Sequence, residues 1–334
     1  GKYLLGASIR RDGSSKFAPG RKWGIFPSAS VGWRISEEPF MKSITAISSL
    51  KLRASIGQTG YNAIGDYDWQ PLISANSTIY PFGNATTNLG SYFNRLGNTG
   101  LSWEETTMSN IGFDLSLGSF DISAELYKRK TDGLLLSVPL PESLGFSSSP
   151  LANVGSMQNT GFELALGYNH RSADFNWSLT GTFDMIRNKV LSLATPNATI
   201  NSGNNADFGG FDITRTQAGQ PIQSFYGWQV DGIFQSAAEV AAANALGNDN
   251  APYQNASTAP GDIRFKDLNG DGKIDGTDRT FLGSYLPKFS YGLNWSGTFK
   301  NFDFAIYLQG VNGNKIYNGV KVIGQGMLRL FNAS

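Results

Sequence analysis

The sequence predicts an all-β chain, a transmembrane antiparallel β-barrel with long extracellular loops. Three observations carry that prediction. Apolar residues alternate with small or polar ones at a period of two, over segments of about ten residues, the length at which a tilted strand crosses a bilayer. These segments come in pairs, with short links at one end and long Gly-, Asn-, Ser- and Pro-rich stretches at the other, as in outer-membrane barrels. Only 16% of the 334 residues are charged, while 13% are aromatic and 40 are Gly. A soluble domain carries about 25% charged residues, so this composition leaves a surplus of apolar surface.

The elements follow in order. "KYLLGASIR" reads as an opening strand, and the basic stretch Arg10–Lys22 as a solvated extracellular connection. Ile111, Phe113, Leu115 and Leu117 alternate with small or polar residues, and a short link leads to Phe120, Ile122, Ala124 and Leu126. Phe162, Leu164, Leu166 and Tyr168 form the next apolar set, and a short turn holding His170 leads to Trp177, Leu179 and Phe183. Long connections are expected at 132–158, 189–210 and 236–287, and only Ser236–Leu246 has a helical look. Tyr291, Leu293 and Trp295, then Phe302, Phe304, Ile306 and Leu308, make the last pair. About a dozen such strands are expected. Phe, Leu, Ile and Trp would meet lipid and the polar set the lumen, with Trp33, Trp103, Tyr127, Trp177, Trp295 and Tyr317 as interfacial girdles or, for some of them, equally loop or core aromatics.

Competing classes lack their signals. A soluble sandwich would use strands of about 5–6 residues, and no fixed repeat period runs through the chain. No apolar run approaches the ~20 residues of a membrane helix. A net charge of +1, from 27 basic and 26 acidic residues, gives no argument for nucleic acid. Without Cys, and with His170 as the single histidine, a thiol nucleophile, a zinc site or a Ser-His-Asp hydrolase lacks its partners. Glu104 and Glu105 are adjacent strand residues facing opposite ways, so they do not converge as a glycosidase pair. No enzymatic activity is expected.

Particular stretches carry a family resemblance. "RRDGSSKFAPGRKWGIFPSASVGWRISEEPFM" (Arg10–Met41) followed by "LKLRASIGQTG" (Leu50–Gly60) resembles the mid-barrel signature of SusC/RagA-type TonB-dependent transporters of Bacteroidota. "LSWEETTMSNIGFDL" (Leu101–Leu115), "NVGSMQNTGFEL" (Asn153–Leu164) and "PGDIRFKDLNGDGKIDGTDRTFLG" (Pro260–Gly283) resemble the same family, in the family's order. The resemblance implies a plugged barrel of about 22 strands, of which this chain would be a partial piece spanning 1–334, with the signal peptide and plug domain outside it. It implies active import across the bacterial outer membrane, with a SusD-like surface lipoprotein as lid, TonB as energy source, and an oligosaccharide or peptide as ligand. The alternative weighed beside it is a non-transporting outer-membrane adhesion barrel.

One stretch points to a metal. In "DLNGDGKIDGTD", Asp267, Asn269, Asp271, Asp275 and Asp278 occupy positions 1, 3, 5, 9 and 12 of a calcium loop, Gly272 takes the sharp turn, and Lys273 offers its carbonyl. A hard cation wants such oxygens, and several carboxylates in so few positions repel one another without one. Strand-like and Gly/Pro-containing flanks argue against a helix-paired sensor. The expectation is a structural Ca2+ clip in the extracellular insertion at about 236–287. The cargo is not legible: Trp69, Tyr80, Trp228 and Tyr253 would either stack on sugars or pack within loops.

Overall fold

The computed structural model describes the chain except residues 83–85, 139, 147, 205–209, 248–250 and 326–334. It contains the strands β1 (Tyr3–Gly13), β2 (Trp23–Arg34), β3 (Ile47–Tyr61), β4 (Leu72–Phe82), β5 (Thr86–Arg95), β6 (Glu104–Leu117), β7 (Phe120–Ser137), β8 (Leu151–His170) and β9 (Phe175–Ser192). The short strands β10 (Thr199–Ser202), β11 (Thr214–Gln217), β12 (Ser224–Trp228), β13 (Val230–Ile233), β14 (Ile263–Phe265) and β15 (Arg279–Gly283) follow, with helix α1 (Ala237–Asn244) among them. The long pair β16 (Phe289–Phe299) and β17 (Phe302–Asn312) and helix α2 (Gly319–Gln325) complete the described elements.

Nine of these strands form one antiparallel sheet in the order β1-β2-β3-β6-β7-β8-β9-β16-β17, which is chain order with two insertions. The β4–β5 hairpin is one insertion; the other holds β10 to β15. The expected dozen long strands are therefore nine in the sheet plus the two of the hairpin, among the described residues. Links at one end are 118–119, 171–174 and 300–301, with 35–46 the longest; at the other they are 14–22, 62–103, 138–150 and 193–288. The asymmetry is the expected one, except that 35–46 at the short end exceeds 14–22 at the long end.

The pairing register fixes the two faces, because directly opposed residues in an antiparallel pair point the same way. Ile111 opposes Leu126, which opposes Phe162, which opposes Met185, which opposes Phe289. Farther along, Leu179 opposes Tyr168 and Trp295, and Trp295 opposes Ile306. This apolar face is open, with Leu5 84%, Ile9 75% and Ile111 62% exposed. From the row of Phe175, Phe299 and Phe302 up to that of Met185 is ten residues along β9, about 33 Å of strand and about 25 Å of height at a 40° tilt. That is the height of an outer-membrane barrel's apolar band.

Several expectations change here. β7, β8 and β9 are 18, 20 and 18 residues long, so the connections at 132–158 and 189–210 are shorter than the sequence suggested. The surplus length lies past the apolar band, on the long-loop side. Trp33, Trp177 and Trp295 do sit on the apolar face at the short-link end, Trp33 stacked with Tyr3 at 6.5 Å and Trp295 against Phe304 at 4.7 Å. Tyr127 does not, since its neighbours Leu126 and Lys128 share the other face and its ring covers Gly161 opposite. Trp103 packs against Phe17 and Phe26 in a loop cluster, and Tyr317 lies outside the strands. The helical expectation at 236–246 corresponds to α1, capped by Ser236, whose Oγ accepts from Glu239 N at 3.2 Å.

The chain divides into two compact units, one built on the nine-stranded sheet and one on 199–216, 220–287 and 313–334. The first has a small core in its long-link end, where Phe17, Ile64 and Leu101 are buried beneath Trp69, Trp103, Leu135 and Leu151. The second centres on Phe234, Ala243 and Tyr253, flanked by Val240 and Ile274.

Candidate functional site

The polar face is the first candidate surface. Small hydroxyl residues alternate with the apolar set, and they meet across strands: Ser8 Oγ lies 2.8 Å from Ser28 Oγ, Thr106 Oγ1 2.9 Å from Thr131 Oγ1, and Ser178 Oγ 3.0 Å from Ser296 Oγ. Near the middle of the sheet the wall is charged. Arg53 on β3 reaches across β6 to an ion pair with Glu125 on β7, and its Nε lies 3.4 Å from Asp114. Gly112 stands between them in register, and a Cβ there would come within 3.2 Å of the guanidinium carbon. Glycine at that position lets the long side chain lie flat across the strand. Asn110 Nδ2 donates to Glu125 at 2.6 Å, and Ser123 Oγ donates to Asp114 at 2.9 Å. An open groove on this face is lined by Ser8, Arg10, Phe26, Ser55, Asn110 and Arg129. Such a wall offers hydrogen-bond donors and acceptors to a polar solute.

The loops above this wall are held by side-chain amides that the sequence reading did not single out. Asn153 Nδ2 donates to Ser102 O and Gly133 O, each at 2.9 Å, while its Oδ1 accepts from Ser102 N at 2.9 Å. Gly133 takes φ +66, the left-handed region, next to a register shift in β7. Asn98 Nδ2 donates to Leu151 O at 2.8 Å, and Trp103 Nε1 donates to Lys22 O at 3.2 Å. The signal for Asn153 was its place in the "NVGSMQNTG" stretch, among the first residues of the long strand β8. The carboxylate of Glu104 caps Leu135 N at 3.3 Å. Glu105 projects from the opposite face, as strand alternation requires.

The acidic loop lies in the second unit, between β14 and β15. Gly272 adopts φ +82, and Asp267 closes the turn by accepting from Gly270 N at 2.6 Å and Gly272 N at 2.8 Å. Burial pushes the Asp267 carboxyl up, but the surrounding N–H donors, Gly272 foremost, outweigh it and hold it below the ordinary aspartate range. Asn269 Oδ1 accepts from Asp271 N, and Asp271 Oδ1 from Lys273 N, both at 3.0 Å. Asp275 accepts from Thr277 through hydroxyl and amide, which lowers its pKa. Asp278 is wholly buried and takes Leu268 N and Asp275 N, each at 2.9 Å.

The donors are all oxygens, the kind a calcium ion takes, and the glycine turn matches a calcium loop's. Each carboxylate is turned to backbone N–H groups, and among the described residues no three acidic or histidine side chains gather as a cage. The two aromatics of this unit singled out from sequence are structural: Trp228 Nε1 donates to Asp275 O at 2.7 Å and Tyr253 Oη to Phe265 O at 2.9 Å. Trp69 packs on the Phe17 cluster. The side chain of Tyr80 lies outside the described residues.

Comparison with known proteins places this architecture. Residues 1–276 match the family model described as TonB dependent receptor-like, beta-barrel. TonB-dependent receptor P26 of Formosa agariphila is 35% identical over 328 residues, which is 95% of this chain and 31% of the relative. TonB-dependent receptor SusC of Bacteroides thetaiotaomicron is 31% identical over 330 residues, 95% of this chain and 30% of SusC. This chain thus spans about a third of the length of these relatives. The solved RagAB peptide importer in its closed-closed state shares the fold with a TM-score of 0.71 at 24% identity, covering 93% of this chain and 32% of that one. This chain, with its nine-stranded sheet apolar on one face and polar on the other, belongs to the TonB-dependent receptor-like β-barrel family, of the SusC/RagA type, and lies in the bacterial outer membrane.

Proposed function

We propose that the chain is part of the wall of an outer-membrane importer that takes up oligosaccharides or peptides, works with a SusD-like surface lipoprotein, and is driven by TonB. The observation that carries the reading is the continuous polar face, with its Arg53–Asp114–Glu125 cluster, set against a lipid-facing apolar band. A polar wall gives a hydrophilic solute a hydrogen-bonding path across the apolar band, which import uses and loop display does not. The relatives named as SusC and the RagAB peptide importer support both the class and the lid partner.

The experiment is deletion of the gene for the whole protein, followed by growth on defined oligosaccharides and on defined peptides. Loss of growth on one class, restored by the intact gene and not by one lacking its TonB-contacting segment, supports import and names the cargo. Normal growth on every source, with lost surface adhesion, would establish the adhesion barrel instead.

Within this reading the loop of Asp267, Asn269, Asp271, Lys273, Asp275 and Asp278 is a Ca2+ clip that stiffens the insertion. Exposed Asp271 and Asp275 would rotate from their N–H partners onto the ion. Chelation, or Asp271→Ala, should raise the protease sensitivity of 267–278 several-fold. Equal sensitivity, with no metal by elemental analysis, would leave a plain Asn/Asp/Gly turn.

A further inference from the structure

The apolar face ends abruptly on β7, β8 and β9. One register step beyond Leu126, Phe162 and Met185, the row on the same face reads Ser109, Lys128, Thr160 and Arg187. The next reads Thr107, Lys130, Gln158 and Lys189. Four cations thus project outward, away from the lumen, grouped over three adjacent strands. Neighbouring strands are about 4.8 Å apart, so Lys128 and Arg187 stand about 10 Å apart with the Thr160 hydroxyl between them. Lys130 Nζ is engaged 2.9 Å from Asp132, whereas no carboxylate pairs with Lys128, Arg187 or Lys189 among the described residues, and all three are exposed. Asp132 and Glu105 lie higher still, farther from the apolar band.

The depth of this patch selects its ligand. Phe175 to Arg187 is twelve residues of β9, about 40 Å of strand and about 30 Å of height at a 40° tilt. The row therefore sits just above the ~25 Å apolar band. It is on the side of the long loops, which is the cell exterior. Lysines spread around a rim would merely snorkel; here four cations cluster on β7–β9, the corresponding β6 positions are Ser109 and Thr107, and β3 places Gln58 opposite Thr107, while Arg11, outward on β1, is taken up by the Trp23 ring at 4.4 Å.

We propose that Lys128, Arg187 and Lys189, with the Thr160 hydroxyl, bind the phosphate groups of a phosphorylated glycolipid in the outer leaflet. Its acyl chains would lie along Leu126, Phe162 and Met185 below. Arg187 supplies a planar fork for phosphate oxygens, and the two lysines act as point charges on either side.

The test uses the full-length protein in nanodiscs. The probes are a diphosphorylated lipid A-type glycolipid, the same lipid dephosphorylated, and inorganic phosphate alone. Bound lipid is read by native mass spectrometry. K128Q/R187Q/K189Q is compared with wild type and with K300Q, a charge loss at the opposite end of the barrel. Each cation near an anionic surface is worth roughly fivefold in affinity, so the triple variant should bind on the order of a hundredfold more weakly, with K300Q unchanged. Barrel folding is checked by heat-modifiable gel mobility. If the triple variant fails to fold, K189Q alone should still lose roughly fivefold. Equal binding by the variants, or undiminished binding of the dephosphorylated lipid, would overturn the proposal. Full competition by inorganic phosphate would replace the lipid with a soluble anion.

Discussion

Leu293→Arg tests the assignment of faces most directly. Leu293 is on β16 between Gly181 of β9 and Leu308 of β17, four residues from the upper apolar row and six from the Phe299 row. Those steps put it about 10 Å below one edge of the apolar band and about 15 Å above the other, near the bilayer midplane. An arginine on the lipid face at that depth costs about 2–4 kcal/mol. Asn294, one residue on, faces the polar side opposite Thr180 and Tyr307, where an arginine is solvated and surface-like changes stay within about 0.5 kcal/mol. The folding equilibrium of the full-length barrel into lipid vesicles should therefore fall about 30- to 900-fold for Leu293→Arg and little for Asn294→Arg. Urea titration with heat-modifiable gel mobility measures both. Equal costs, or the larger cost at Asn294, would mean that the register is displaced by one residue and the faces exchanged.

Two further perturbations probe the two ends of the sheet. Glu38 accepts from Lys2 Nζ at 3.1 Å, Trp33 Nε1 at 3.1 Å and Tyr3 Oη at 2.9 Å, which together hold its carboxyl below the ordinary glutamate range. Its contribution is thus fully present above the unfolded value of about 4.3 and disappears as pH falls through the lower folded value. Glu38→Gln should increase protease cutting of 35–46 at neutral pH, and the difference from wild type should close in acid; a difference that persists there counts against the charge's role. Phe17 is fully buried in the loop core, so Phe17→Ala should cost about 3–5 kcal/mol of local stability. Amide exchange in 14–22 and 98–103 should accelerate, and unchanged protection would show that the cluster does not hold these loops.

Strands were legible because their code is local. A period of two assigns a face residue by residue, and the short turns at 118–119, 171–174 and 300–301 announce the pairing without knowledge of anything distant. Tyr127 was misassigned by residue type, although its position between Leu126 and Lys128 already placed it on the polar side. Strand length was underestimated because the apolar alternation stops at the edge of the lipid band while the hydrogen-bond ladder continues. Past Leu126 and Phe162 the side chains turn polar, yet β7 and β8 remain paired as far as Ser137 and Leu151. The loop cores were not legible at all. Phe17, Ile64 and Leu101 meet only after the connection 14–22 and both ends of 62–103 fold together, and no spacing rule links positions so far apart.

The acidic loop shows the same division within one site. Most of its internal bonds run between residues two to five apart, from Asp267 to Gly272 and from Asp275 to Thr277, and even the Leu268–Asp278 bond stays within the twelve-residue pattern, so a spacing rule finds them. What fastens the loop to the rest of its unit comes from farther away. Trp228 reaches the carbonyl of Asp275, and the carbonyl of Tyr253 accepts from Ile274 N at 2.6 Å. Because those anchors use backbone carbonyls and indole or amide donors, they persist whether or not an ion sits among the carboxylates. If the loop holds the proposed ion, chelation should therefore loosen 267–278 locally and leave the packing of Phe234, Ala243 and Tyr253 intact. Faster amide exchange at Phe234, Ala243 and Tyr253 on chelation would overturn this separation.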